Sequence, residues 1–164
     1  MTRISYRSLL AFTVFKLAFF SSATFAEASG VESLSPEIRG LLKKEMIAVD
    51  LAMKDIITAN AEGDSDKIST IARQIKNSFI LKQGLTKRQK HELHSTLPKD
   101  FILKDQEFHY MAGMLSHAAD MNKPELINFY YSQLFEACSS CHKAHALHRF
   151  PQFMTESTAD QHKH

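Results

Sequence analysis

Cys138 and Cys141 are the only two cysteines of the 164-residue chain, and His142 follows the second directly. Cys-x-x-Cys-His is the pattern by which haem is attached in c-type proteins. On a helix the three residues stand at i, i+3 and i+4, so all point toward one face. Two thiols there can add to the two haem vinyl groups as thioethers. The His142 imidazole then lies under the iron as its proximal ligand, with its other nitrogen left for an orienting hydrogen bond. Three other chemistries use two neighbouring cysteines. A thioredoxin-like redox pair needs a βαβ setting, and the sequence shows none. A zinc site could draw on His145 and His148, but structural zinc usually takes two separated ligand pairs. A disulfide would close a loop too small to stabilise much. The spacing therefore predicts one covalent haem c.

The elements that must carry these residues read as helices. Ser35-Pro36-Glu37 gives an N-cap, a proline at the first helical position and an acid in the first turn. Ile38, Leu42, Met46, Val49, Met53 and Ile56 then form one stripe of a helix running to about Ala61. Asp64 or Ser65 caps a second helix with Ile68, Ile71, Ile75, Phe79 and Ile80 inward and Gly84 as its stop. Thr86 to Gln89 is a capping-box signature for a short segment reaching Ser95, which Leu97-Pro98 ends. The next helix spans about Asp100 to Met121, with Phe101, Phe108, Met111, Met114, Leu115 and Ala118 as its apolar face. Asn122 to Glu125 reads as a second capping box, and the last helix runs through the motif to about His148. No stretch alternates with period two. Long amphipathic helices with short links predict an all-α antiparallel four-helix bundle.

Residues 1–26 read as a secretory signal: Arg3 and Arg7, an apolar run from Ser8 to Phe20 broken only by Lys16, then small residues to Ala26 or Ala28. That run of about 13 residues is short of the roughly 20 that span a membrane, so no span is expected after cleavage. Without Arg3, Arg7 and Lys16 the chain keeps 17 basic residues against 18 acidic ones, a formal charge of −1. That balance suits neither nucleic acid nor an anionic membrane surface. The expected layout is a periplasmic domain at 27–150 and a flexible tail at 151–164.

A secretory leader, four helices and Cys138-x-x-Cys141-His142 in the last of them together resemble the class II c-type cytochromes, the cytochrome c prime group. Class I members place the motif near the N-terminus. The resemblance covers about residues 36–150 and is specific at the three motif residues. It implies a four-helix bundle, often a homodimer, with the haem covalently on the C-terminal helix and a first-helix residue facing the iron from the other side. Members commonly carry an aromatic and an arginine three and four positions after the histidine. Here those positions hold His145 and Ala146, and Arg149 comes three residues later. The link 84–99 is also long, which marks a divergent branch.

If the first helix runs antiparallel to the last, with Pro36 level with Arg149, His142 is level with about residue 43. Met53 is then roughly 15 Å too far along. Leu42 and Met46 are the candidates that face the iron: Met46 can ligate it, Leu42 can only cover it. Ordinary core packing is the alternative for Met46. Arg39 is a candidate propionate contact, against a solvated helix face. His109 and His117 read as core-edge or solvated, with bis-histidine ligation as their alternative; His91 and His94 read as surface. His145 is expected along the haem edge and His148 exposed. No activated serine, paired carboxylate site or phosphate loop is present, so no enzyme is expected. The expected function is single-electron transfer to redox partner proteins. Its rival is a five-coordinate haem binding a small gas, nitric oxide or carbon monoxide. A peroxidase-like reading needs a distal acid–base pair that the sequence does not supply.

Overall fold

A computed structural model describes residues 30–78, 81–82 and 84–154. Residues 1–29, where the signal is expected, and residues 155–164 of the expected tail lie outside the described residues. Within them the chain is all-helical, with no strand. A 3-10 turn at Val31–Ser33 precedes α1 (Pro36–Glu62), α2 (Ser65–Lys76), the short α3 (Lys87–Thr96), α4 (Lys99–Asp120) and α5 (Pro124–His145).

The helix ends follow local chemistry. Ser35 Oγ accepts from the Ile38 amide at 3.4 Å, with Pro36 in the first turn. Gly63 (φ 70°) ends α1, its amide and that of Asp64 reaching back to Asn60 and Ala59. Asp64 caps α2 by accepting from the Lys67 amide at 2.9 Å. Thr86 and Gln89 form the expected capping box on α3. The second expected box does not form. Asn122 is left-handed (φ 49°) and closes α4 instead, its amide bonding Ala119 O and the Lys123 amide bonding Ala118 O. Its side chain accepts from Ser65 Oγ at 2.9 Å, so α5 starts on Pro124 without a side-chain cap.

Neighbouring helices are antiparallel. Ser69 and Arg73 of α2 bond Asp120 of α4 at 2.6 Å, while Ile75 O, farther along α2, meets His109 Nδ1 at 2.7 Å. Lys104 and Asp100 of α4 meet Ser140 and His145 of α5 at 3.4 and 3.2 Å. Thus α2 packs between α1 and α4, and α4 between α2 and α5. α3 lies against the start of α1, where Glu92 accepts the Ser35 amide at 2.7 Å and Gln89 donates to Glu37 at 2.7 Å. The Ser35 amide holds the Glu92 carboxyl below its ordinary pKa.

The apolar interior has two parts. One joins Val49, Met53, Ile56, Ile68, Ile75, Leu115, Ile127 and Leu134, with Phe108 and Met111 packed on it. The other joins Leu34, Ile38, Leu42, Leu93 and Leu97, with Phe101 and Ile102 packed on it. Between them on α1 the expected stripe fails: Met46 is 40% exposed, and its neighbour Glu45 is buried. Glu45 accepts from Ser78 Oγ at 2.8 Å and from the Leu81 amide at 3.2 Å. Ser78 (φ 59°) also accepts from the amides of Leu81 and Lys82. This lock explains why α2 ends at Lys76 and not near Gly84. Phe79 and Ile80, expected on its inner face, lie outside the described residues.

Glu45→Ala takes the carboxylate acceptor from the buried Ser78 hydroxyl and leaves the Leu81 amide to Ser78 Oγ alone, and should cost about 1–3 kcal/mol. Lys44→Ala, one residue away and exposed, should stay within about 0.5 kcal/mol. Urea denaturation followed by circular dichroism checks both; equal midpoints would show that the 77–86 loop holds without Glu45.

Candidate functional site

Cys138, Cys141 and His142 all lie in the last two turns of α5. Tyr131, on the same helix, donates its hydroxyl to Met53 O of α1 at 3.3 Å, and Asn60 of α1 bonds Asn128 of α5 at 3.2 Å. Those contacts define which side of α5 faces α1. Cys138 and His142 come seven and eleven residues after Tyr131, about two and three turns, and share that side. The electrostatic surroundings agree. Asp50 of α1 acts on Cys138, whereas Asp105, Lys104 and Asp100 of α4 act on Cys141. The motif therefore stands at the junction of α5 with α1 and α4.

The same contacts give the axial register. Pairing of Met53 with Tyr131 and of Asn60 with Asn128 sets His142 level with about residues 42–46 of α1. Pairing of Lys104 with Ser140 and of Asp100 with His145 sets Cys138 to His142 level with about residues 102–106 of α4. The apolar interior divides at this level on two helices, between Leu42 and Val49 of α1 and between Ile102 and Phe108 of α4, and the lower cluster ends on α5 at Leu134. Along the seam between α1 and α5 the backbones approach less closely than between α1 and α2, α2 and α4 or α4 and α5.

Both cysteines are free and half-buried. Burial is the main cause that pushes each thiol above its ordinary pKa. Such thiols are poorly ionised at neutral pH, unlike the depressed thiolates of redox catalysts. Burial also lowers the pKa of His142, favouring the neutral imidazole that a metal needs. Its ring stacks on Phe150, with centroids 4.2 Å apart and planes 12° apart.

The other sequence candidates are placed as follows. Leu42 is 7% exposed and belongs to the upper apolar cluster. Met46 is exposed but recurs at seven-residue spacing with Met53 and Asn60, so it stands on the side of α1 that faces α5. Arg39 pairs with Glu32 at 3.1 Å, and Glu32 also takes His148 at 2.7 Å. His145 bonds Asp100 and sets its ring edge-on to Phe101 at 5.2 Å. His109 is buried against α2 and His117 is exposed, so neither is brought to the motif. Sequence reasoning missed Phe150 and Glu45. An aromatic at Phe150 and another at Phe153, either side of Pro151, was the available signal for the first; nothing local marked the second.

Residues 151–154, the start of the expected tail, are among the described residues. Turns hydrogen-bonded through Phe153 N to Phe150 O and Met154 N to Pro151 O continue the fold, with Lys143 Nζ 5.2 Å from the Phe153 ring centre.

Comparison with protein-family models, with curated proteins and with solved structures finds no match to this chain. No helix among the described residues is long and apolar enough to cross a membrane. Nor do three histidine, cysteine or carboxylate side chains among them converge as a chelating cluster for a bare metal ion. His145 and His148, the sequence's zinc candidates, point to Asp100 and Glu32 instead. Dialysis of the reduced chain against zinc should therefore leave no stoichiometric metal; one tightly held zinc per chain, lost in Cys138→Ala, would restore the zinc reading.

Proposed function

We propose that this chain is a monohaem c-type cytochrome that carries single electrons in the periplasm. In this reading α1, α2, α4 and α5 form an antiparallel four-helix bundle, with one haem c held covalently on α5. The observation that carries it is the coincidence of the motif with the level at which the apolar interior divides on α1 and α4 and ends on α5. Two thioether bonds need Cys138 and Cys141 on neighbouring faces one turn apart, and a proximal ligand needs His142 beside them. A flat apolar group attached there would meet Leu42, Val49, Leu134 and Phe108, the margins of the two clusters. When bound, the haem supplies a one-electron ferric/ferrous couple whose potential follows its axial ligands, burial and hydrogen bonding.

The chain's own residues do the rest. His142, kept neutral by burial, offers a ring nitrogen to the metal. Leu42 and Val49 exclude water from the side of α1. Met46, level with His142 and on the seam side, is the residue of α1 with a sulfur to offer. Arg39, tied to Glu32, is the nearest candidate cation for a propionate from that helix. The second reading, a five-coordinate gas binder, draws on the burial of Leu42 at the same level. There Leu42 covers the iron and Met46 stays in solvent. The location rests on the signal at residues 1–26, and the partners are redox proteins in the first reading and nitric oxide or carbon monoxide in the second.

Protein matured in a strain with a working attachment system should keep its haem through acid–acetone extraction. Replacing Cys138 and Cys141 together by alanine should release it. Haem extractable from the wild type would sink the c-type reading.

The sixth position decides between carrier and gas binder. If Met46 ligates, Met46→Leu should turn a low-spin centre high-spin, raise carbon monoxide affinity and lower the midpoint potential, because a thioether favours ferrous iron. A wild type already high-spin, whose carbon monoxide entry quickens in Leu42→Ala, would select the gas binder. An optical spectrum indifferent to both changes would remove α1 from the distal side.

A further inference from the structure

Metal-bound histidines almost always fix their ring by donating the second nitrogen to a carboxylate or carbonyl. His142 does not follow that pattern. Among the described residues its ring nitrogens take no hydrogen-bond partner. The nearby carboxylates are engaged elsewhere, Asp100 by His145 at 3.2 Å and Glu32 by His148 at 2.7 Å. What the ring does meet is Phe150, nearly parallel at 12° and 4.2 Å.

The chain reaches this contact by reversing direction. The helix ends as Ala146 turns to φ −139° and ψ 25°. Arg149 N then bonds Ala146 O at 2.8 Å and Phe150 N bonds Leu147 O at 3.1 Å, which returns Phe150 to the turn of α5 that carries His142. The reversal is held on both sides. His148 is tied to Glu32 before Phe150, and Phe153 packs on Phe150 after it, with ring centres 6.4 Å apart. A parallel ring covers the imidazole's face and leaves both nitrogens, which lie in its edge, open.

We propose that Phe150 is a positioning residue for His142, fixing the plane of the imidazole by ring stacking where a hydrogen bond to the second nitrogen is the common device. The inference rests on the haem reading above. It has a chemical consequence. An imidazole without a carboxylate partner has little imidazolate character, donates less to ferric iron, and so supports a higher potential. Phe150 keeps the ring in place without adding that donation.

The test uses the full-length protein matured with haem, as wild type, Phe150→Leu and Phe150→Tyr. Haem staining after denaturation reports attachment. Electron paramagnetic resonance of the ferric form and the midpoint potential report the ligand. Leucine keeps apolar bulk but not the stack, so the released ring can turn its second nitrogen to a hydrogen-bond acceptor; its resonances should broaden and shift and its potential should fall, with haem still attached. Tyrosine keeps the stack and should match the wild type in both. Where the leucine variant fails to mature, Phe150→Met takes its place with the same expectation. Attached haem with unchanged resonances and potential in the leucine or methionine variant overturns the positioning role and leaves the cytochrome reading standing. A tyrosine variant shifted as far as leucine also overturns it. Absence of covalent haem from the wild type overturns both.

Discussion

The helices meet through two apolar clusters instead of one continuous core, and that constraint governs the remaining structure. Below the division, α1, α2, α4 and α5 share an interior of isoleucine, leucine and alanine that includes Ile56, Ile75, Leu115 and Leu134, each almost wholly buried. Above it, α1 packs on α3 and the start of α4 through Ile38, Leu42, Leu93 and Leu97. A domain of this size has only moderate apolar surface to bury. Dividing that interior weakens the middle, unless another group joins the halves. In the reading proposed above, a haem on Cys138 and Cys141 is that group.

Polar contacts hold the upper half in register. Glu45 organises the loop after α2 through Ser78 and the Leu81 amide, while Glu92 and Gln89 bind α3 to the first turn of α1. A buried carboxylate is costly without partners and specific with them. It fixes the turn after α2 and so the direction in which the chain leaves for α3. The result is a long connection that is itself structured, with a short helix serving as the lid of the upper cluster.

Much of this was legible in sequence because its causes are local. Ser35-Pro36, Gly63-Asp64 and Thr86 to Gln89 act within one turn of the chain, and the helices they bound follow. The stripe on α1 was read from apolar spacing alone, and there Met46 and Glu45 exchanged places. The reason is remote: Ser78, 33 residues away, supplies the donor that makes burial of Glu45 tolerable. Asn122 failed as a cap because closing α4 with a left-handed residue satisfied two carbonyls at once. At the candidate site, Cys138, Cys141 and His142 were legible from spacing, because a helix fixes the relation of residues three and four apart. Phe150 was not, since it returns to His142 through a non-helical turn that no periodicity describes.

That difference bears on how the site is built. The three motif residues are placed by the regular geometry of α5, which needs no tertiary partner to set their spacing. Their surroundings come from elsewhere: Leu42 and Met46 from α1, Lys104 and Asp105 from α4, and Phe150 from the segment after α5. In the proposed reading a rigid helix presents the attachment chemistry, while separate elements tune it. With His145 turned to Asp100 and Ala146 ending the helix, the position beside the imidazole is filled by Phe150 from the far side of a turn. In the proposed reading, the orientation of the His142 ring then rests on an apolar stack in place of a charged neighbour.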